Sequence, residues 1–149
     1  MYKDIQSFMQ SQSVAIVGVS RNTDMFSYKL FEAFIRKGFR VYPVNPNCNE
    51  LHGHKVYPSV TALPSDVDAI YIIKRKDLAI DIAREAAVRG ITKIWIHVKC
   101  NDSDTAELTQ KYGVTIIAGE CFFMWAEPVR GVHKFHRYIR KLFDKTFPR

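Results

Sequence analysis

"SVAIVGVSRN", residues 13–22, runs from an apolar stretch into a polar loop with a single glycine, Gly18, at the joint. The run Val14-Ala15-Ile16-Val17 is the near-continuous apolar pattern of a strand buried on both faces. Val19, Ser20, Arg21, Asn22 and Thr23 follow. A strand, a glycine and then small polar residues ahead of a helix make the first βα turn of a nucleotide-binding fold, where backbone N–H groups and a helix N-terminus favour an anion. The dinucleotide fingerprint G-x-G-x-x-G needs two more glycines. Ser20 stands at the second position and Thr23 at the third.

Outward from this turn the chain alternates. A short helix is expected over Asp4–Gln10, the first strand over Ser13–Gly18 and a helix over Tyr28–Lys37, where Leu30, Phe31, Phe34 and Ile35 recur at helical spacing. Gly38 suits a left-handed C-terminal cap. "FRVYPV" is the second strand, stopped by Pro43 and Pro46. A short strand near Lys55–Tyr57 and one helical turn after Ser59 come next. "DAIYII", residues 68–73, is a second fully apolar strand. Its helix runs from an Asp77 cap to Gly90. "KIWIHV", residues 93–98, leads to a helix from Ser103 to Gly113, and "VTIIAG" ends the alternation. This pattern predicts βαβ units and a Rossmann-like three-layer α/β sandwich with a mostly parallel sheet of five to six strands. The expected order is 3-2-1-4-5, with a sixth strand or the C-terminal helix at the edge. One domain spans 1–149, with a core over 13–121 and a C-terminal extension over 122–149.

Size and charge narrow the function classes. The 149 residues can bury a core, and 47% hydrophobic with 25% charged residues is ordinary for a globular domain. "MYKDIQSFMQ" has no apolar leader region, and "VAIVGV" is far too short to span a bilayer, so the chain reads as cytoplasmic. Three cysteines at wide spacing, Cys48, Cys100 and Cys121, read as reduced thiols rather than a disulfide framework. The net charge of +7 is uneven. Residues 130–149 hold seven bases and one acid, which leaves the rest of the chain at +1. A near-neutral body without an aromatic RNA-binding motif argues against a nucleic-acid partner.

In a sheet of this kind ligands sit beyond the carboxyl ends of the strands, at the switch between the first and fourth. The loops arriving there are "GVSRN", "VNPNCN", "KRK" at 74–76, "HVKCN" at 97–101 and "GECFFMW". They carry amides, hydroxyls and cations, which suits a phosphate-bearing ligand. His97 and Cys100 lie three apart, and a histidine with Lys99 close by could activate a thiolate. No third orienting residue is identifiable, so the plain reading is a polar loop with a reduced cysteine. No metal-ligand spacing stands out beyond His52-x-His54. Asn45 occupies the place where a dinucleotide site wants an acid for the ribose. An NAD(P)-dependent oxidoreductase is therefore the alternative reading, weakened by that residue and by the single glycine.

"AIVGVSRN", "GFRVYPVNPN", His52-Gly53 and "YPSV" at 57–60 together resemble the stand-alone CoA-binding domain proteins, which are similar in fold to the CoA-binding domain of succinyl-CoA synthetase alpha subunits. The resemblance covers roughly residues 13–121. It implies binding of CoA, acyl-CoA or a related adenine nucleotide through Gly18, Val19, Ser20, Arg21, Asn45, Pro46, Ile73 and Lys74. Asn22 and His97, on the same edge, complete the candidate set. It implies no catalytic residues, since the synthetase phosphohistidine machinery has no counterpart here. The sequence departs from the family pattern at Met25, Ser27, Lys74–Lys76, His97 and Lys99. Most of these changes add cations, which either grip phosphate or fill the pocket.

The segment "RGVHKFHRYIRKLFDK" sets Val132, Phe135, Ile139, Leu142 and Phe143 on one helical stripe with bases on the remainder. Five apolar side chains at about 1.5–3 kcal/mol each are more than a helix leaves in water, so the stripe is expected to dock on the domain or on a second copy rather than on a membrane. Deleting residues 130–149 should lower the melting temperature or dissociate an oligomer. Unchanged stability and mass in the truncated protein, with the full chain sedimenting on anionic liposomes, would mark a surface anchor instead.

Overall fold

A computed structural model describes residues 1–126 of the chain. The helix expected over 131–145 lies outside the described residues. The elements are α1 (Tyr2–Met9), β1 (Ser13–Val17), α2 (Phe26–Arg36), β2 (Arg40–Val44), β3 (Glu50–Leu51), β4 (His54–Lys55), β5 (Ala69–Ile72), α3 (Lys76–Val88), β6 (Lys93–Ile96), α4 (Asp102–Tyr112) and β7 (Thr115–Ala118), with 3-10 turns at Val60–Ala62 and Phe122–Met124. Five strands form a parallel sheet in the order β2-β1-β5-β6-β7.

The Rossmann-like expectation is met, with one change at the outer edge. Residues 54–55 return antiparallel against 50–51 as a small hairpin, and the strand expected at Lys55–Tyr57 survives as one parallel bridge from Tyr57 to Val44. Pro43 does not stop the second strand, since it pairs in register with Ile16 inside β2. Its carbonyl accepts the Tyr57 N–H at 2.9 Å. The N–H and C=O of one strand residue face the same edge, so the missing proline donor faces outward and costs no bond to β1.

The two sheet faces differ in chemistry. Ile16, Tyr71, Trp95 and Phe122 lie on one, under α1 and α2, with Phe8, Phe31 and Phe34 from the helices. The rings interlock, Phe8 on Trp95 at 5.1 Å and Phe34 stacked on Phe122 at 3.9 Å. Ala15, Val17, Ile70, Ile72, Ile94 and Ile96 lie on the other, under α3 and α4. Helix α3 presents Ala79, Ala83, Ala86 and Ala87 to the sheet, small enough for close approach. Two further rings join this core from outside residues 13–121. Phe8 precedes that range and Phe122 follows it, both almost fully buried.

Local signals explain the helix ends. After α2 the Phe39 N–H reaches the Phe34 carbonyl and the Gly38 N–H reaches Ile35. After α3 Ile91 reaches Ala86 and Gly90 reaches Ala87, the same Schellman pattern with glycine at the left-handed position. The starts shift from expectation. Asp77 falls in the first turn of α3, behind Arg75, and α4 begins after Asn101 rather than at Ser103. No helix among the described residues is long and apolar enough to cross a membrane.

Gly18 is held by packing as well as by conformation. Its φ is +98°, and a Cβ placed there would lie 2.3 Å from the Ile73 carbonyl oxygen. Gly18→Ala should therefore destabilise the fold by more than about 2 kcal/mol, read as a lowered urea midpoint. A midpoint within experimental error of the parent would mean that the β1–β5 junction has room to give.

Candidate ligand site at the carboxyl edge

Four loops meet at the carboxyl ends of β2, β1, β5 and β6, and specific contacts tie them together. The first is the turn after β1. The Gly18 N–H donates to the Val44 carbonyl, fixing the turn to β2. The Ser20 N–H donates to Ser27 Oγ at 3.0 Å, which anchors the loop to α2. Ser20 Oγ accepts from the Asn22 N–H at 3.1 Å, and Asn22 Oδ1 accepts from the Asp24 N–H at 2.9 Å. The Ser20 hydroxyl keeps its own proton to donate. The N–H groups of Arg21, Thr23, Phe26 and Ser27 have no acceptor among the described residues, and α2 carries no side-chain cap. These are the unsatisfied donors of a helix start.

The second loop is tied to the first. Asn45 Nδ2 donates to the Val19 carbonyl at 2.9 Å, and Asn45 Oδ1 accepts from the Asn47 N–H at 2.8 Å. Both ends of this amide serve the loop itself. Val19 is a core residue, 1% exposed, and offers the site backbone only. Arg21, Asn22 and Pro46 are exposed at the rim.

The third loop carries the cationic triplet, and the structure separates its members. Arg75 pairs with Asp77 at 3.1 Å and Lys76 with Asp104 at 4.0 Å. Lys74 has no acidic partner among the described residues. Its Cε lies 3.3 Å from the point a Gly18 Cβ would occupy, so the side chain crosses the β1 turn. Ile73, half-buried, supplies the carbonyl that presses on Gly18.

The fourth loop brings His97. Its Nδ1 lies 2.9 Å from the Tyr71 hydroxyl, and its ring packs at 4.9 Å on Phe26, in the first turn of α2. Phe26 thereby joins His97 to the β1 turn, and itself meets Phe123 at 5.8 Å. Burial lowers the His97 imidazole below its ordinary pKa, so the ring is neutral at pH 7. Burial likewise raises the Tyr71 hydroxyl, which stays protonated.

The thiolate idea does not survive this geometry. His97 engages Tyr71 on the aromatic face, whereas Cys100 packs with the aliphatic cluster under α3 and α4. The Cys100 thiol lies 3.7 Å from the Val98 carbonyl, and burial pushes its pKa up. Tyr71 and Phe26 were not singled out by the sequence. The available signal was a tyrosine in an apolar strand, whose buried hydroxyl must find partners.

Cys100 should resist iodoacetamide in the native protein, and His97→Ala should leave its labelling rate unchanged. Rapid labelling that slows in His97→Ala would restore an activated thiol.

With this geometry in view, comparison with known proteins is informative. Residues 12–126 match the model of the CoA binding domain family. The chain is 27% identical over 125 residues to the alpha subunit of an ADP-forming acetate–CoA ligase II from Pyrococcus furiosus, covering 76% of this chain and 27% of that subunit. It is 24% identical over 119 residues to an uncharacterized Bacillus subtilis protein, covering 79% of this chain and 88% of that one. A conserved hypothetical protein from Pyrococcus furiosus superposes with a TM-score of 0.70 at 32% identity, covering 77% of this chain and 99% of that chain. The chain spans 27% or less of the length of the ADP-forming ligases matched first. A match over most of its length, on a fold whose switch point carries the expected turn, places the chain in the CoA binding domain family.

Proposed function

We propose that the chain binds CoA, an acyl-CoA or a related adenine nucleotide by its phosphates at the turn after β1, as a binding module without chemistry of its own. One observation carries this reading. An uncapped helix start, a glycine turn with unsatisfied N–H donors and the ammonium-bearing arm of Lys74 converge at the topological switch point. Phosphate is the group that answers all three at once, accepting several N–H bonds and a cation.

The NAD(P) alternative is disfavoured by Asn45. A dinucleotide site wants a carboxylate there to accept from the ribose hydroxyls, and this amide is spent on Val19 and Asn47. A nucleophile–base pair is not formed either, because His97 and Cys100 face different clusters.

Calorimetry with CoA, NAD and NADP tests the reading. CoA should bind most tightly, and Lys74→Ala should weaken it about tenfold, the loss of one charge-assisted hydrogen bond of roughly 1.5 kcal/mol. Tighter binding in Lys74→Ala would make the lysine a plug in the turn, and stronger binding of NAD than of CoA would shift the reading to a dinucleotide site. Gly18 is unsuitable as a binding probe, since its substitution disturbs the sheet itself.

A further inference from the structure

The polar chain running from the aromatic core to the site has a direction. Tyr71 is 0% exposed. Its hydroxyl oxygen lies 3.4 Å from the Phe122 backbone nitrogen, which is a donor. The hydroxyl oxygen is therefore an acceptor there, and its own proton needs an acceptor in turn, because a buried unsatisfied donor is costly. His97 Nδ1, at 2.9 Å, is within reach to accept it. An unprotonated Nδ1 in a neutral ring puts the proton on Nε2. The two nitrogens lie on opposite edges of the imidazole. With Nδ1 turned to buried Tyr71, Nε2 is the ring nitrogen left for another partner, on a half-buried imidazole that packs on Phe26 at the start of α2.

We propose that His97 is a specificity-determining residue, a neutral Nε2–H donor held in that tautomer by Tyr71 and directed at an uncharged carbonyl of the ligand. On the binding reading above, which this inference deepens, that carbonyl belongs to the pantetheine amides or the thioester rather than to the phosphates. Three features fit. The ring carries no charge to attract phosphate, and burial keeps it so. Lys74 and the β1 turn already supply the anion site. Phe26, which packs on His97, and Met25 are 37% and 52% exposed, an apolar lip suited to an uncharged arm and ill suited to a phosphate. Tyr71 acts as the positioning residue.

The experiment pairs two ligands on the full chain, CoA and its nucleotide half, 3′-phospho-ADP, which lacks the pantetheine arm. His97→Phe keeps an aromatic ring beside Phe26 but removes the donor. It should weaken CoA about fivefold to tenfold and leave 3′-phospho-ADP unchanged, while His97→Gln, with an amide donor, should recover most of the loss. Long-range nitrogen–proton NMR at neutral pH, with the His97→Gln spectrum assigning the resonance, should show the proton on Nε2. In Tyr71→Phe the same resonance should move toward a tautomer mixture. Melting curves check that each variant is folded. A proton on Nδ1 in the parent chain, an equal loss for both ligands, or no loss for either would overturn the role of His97. Failure of the parent chain to bind either ligand would instead overturn the binding reading, and this inference with it.

Discussion

Gly18 passes so close to Ile73 that no side chain fits between them, and the rest of the site depends on that approach. The central strands β1 and β5 are fully buried along their paired length, with Val14 opposite Ala69 and Val17 opposite Ile72. The turn after β1 must then cross the end of β5 to reach α2. A positive φ with no Cβ makes this possible at little cost. It also lays backbone, rather than side chain, at the switch point. Lys74, the residue after Ile73, brings its Cε to within 3.3 Å of the point that a Gly18 Cβ would occupy.

The second organising feature is the aromatic face. Trp95, Tyr71, Phe8, Phe34 and Phe122 fill the space under α1 and α2, while the opposite face is alanine and branched aliphatics. Two of these rings carry a polar end. Trp95 donates to the Glu120 carbonyl at 2.8 Å, and Tyr71 reaches His97. The packing that stabilises the sheet therefore also orients a side chain at the carboxyl edge. Core and site share Tyr71, so the site is held by a rigid strand rather than by loop contacts alone.

Charge is sorted by the same topology. Three consecutive bases arrive after β5, and the helix that follows takes two of them away from the site. Arg75 turns to Asp77, a largely exposed pair worth little in stability, and Lys76 to Asp104, a half-buried pair. Their consequence is geometric, because they leave Lys74 facing the turn. Membership in the CoA binding domain family agrees with the anion site proposed for this edge. Ser27 and Lys74 both act on the turn after β1, since one anchors it and the other crosses it.

The sequence by itself determined the alternation of strands and helices, the two apolar central strands, and the glycine ends of α2, α3 and α4. These are local or periodic properties, written in hydrophobic spacing and in glycine positions. It also placed the candidate residues on one edge, because parallel strands put their following loops together. It could not say that Pro43 stays within β2, since the harmless direction of its missing N–H depends on which neighbour lies on each side. Nor could it separate His97 from Cys100, three residues apart yet packed with opposite faces of the sheet. The spending of the Asn45 amide on Val19, the approach of Lys74 to Gly18 and the link from Tyr71 to His97 are contacts between residues 26 to 56 positions apart in the chain. Only the tertiary structure decided them, because no local pattern records which distant backbone atom lies within hydrogen-bond reach.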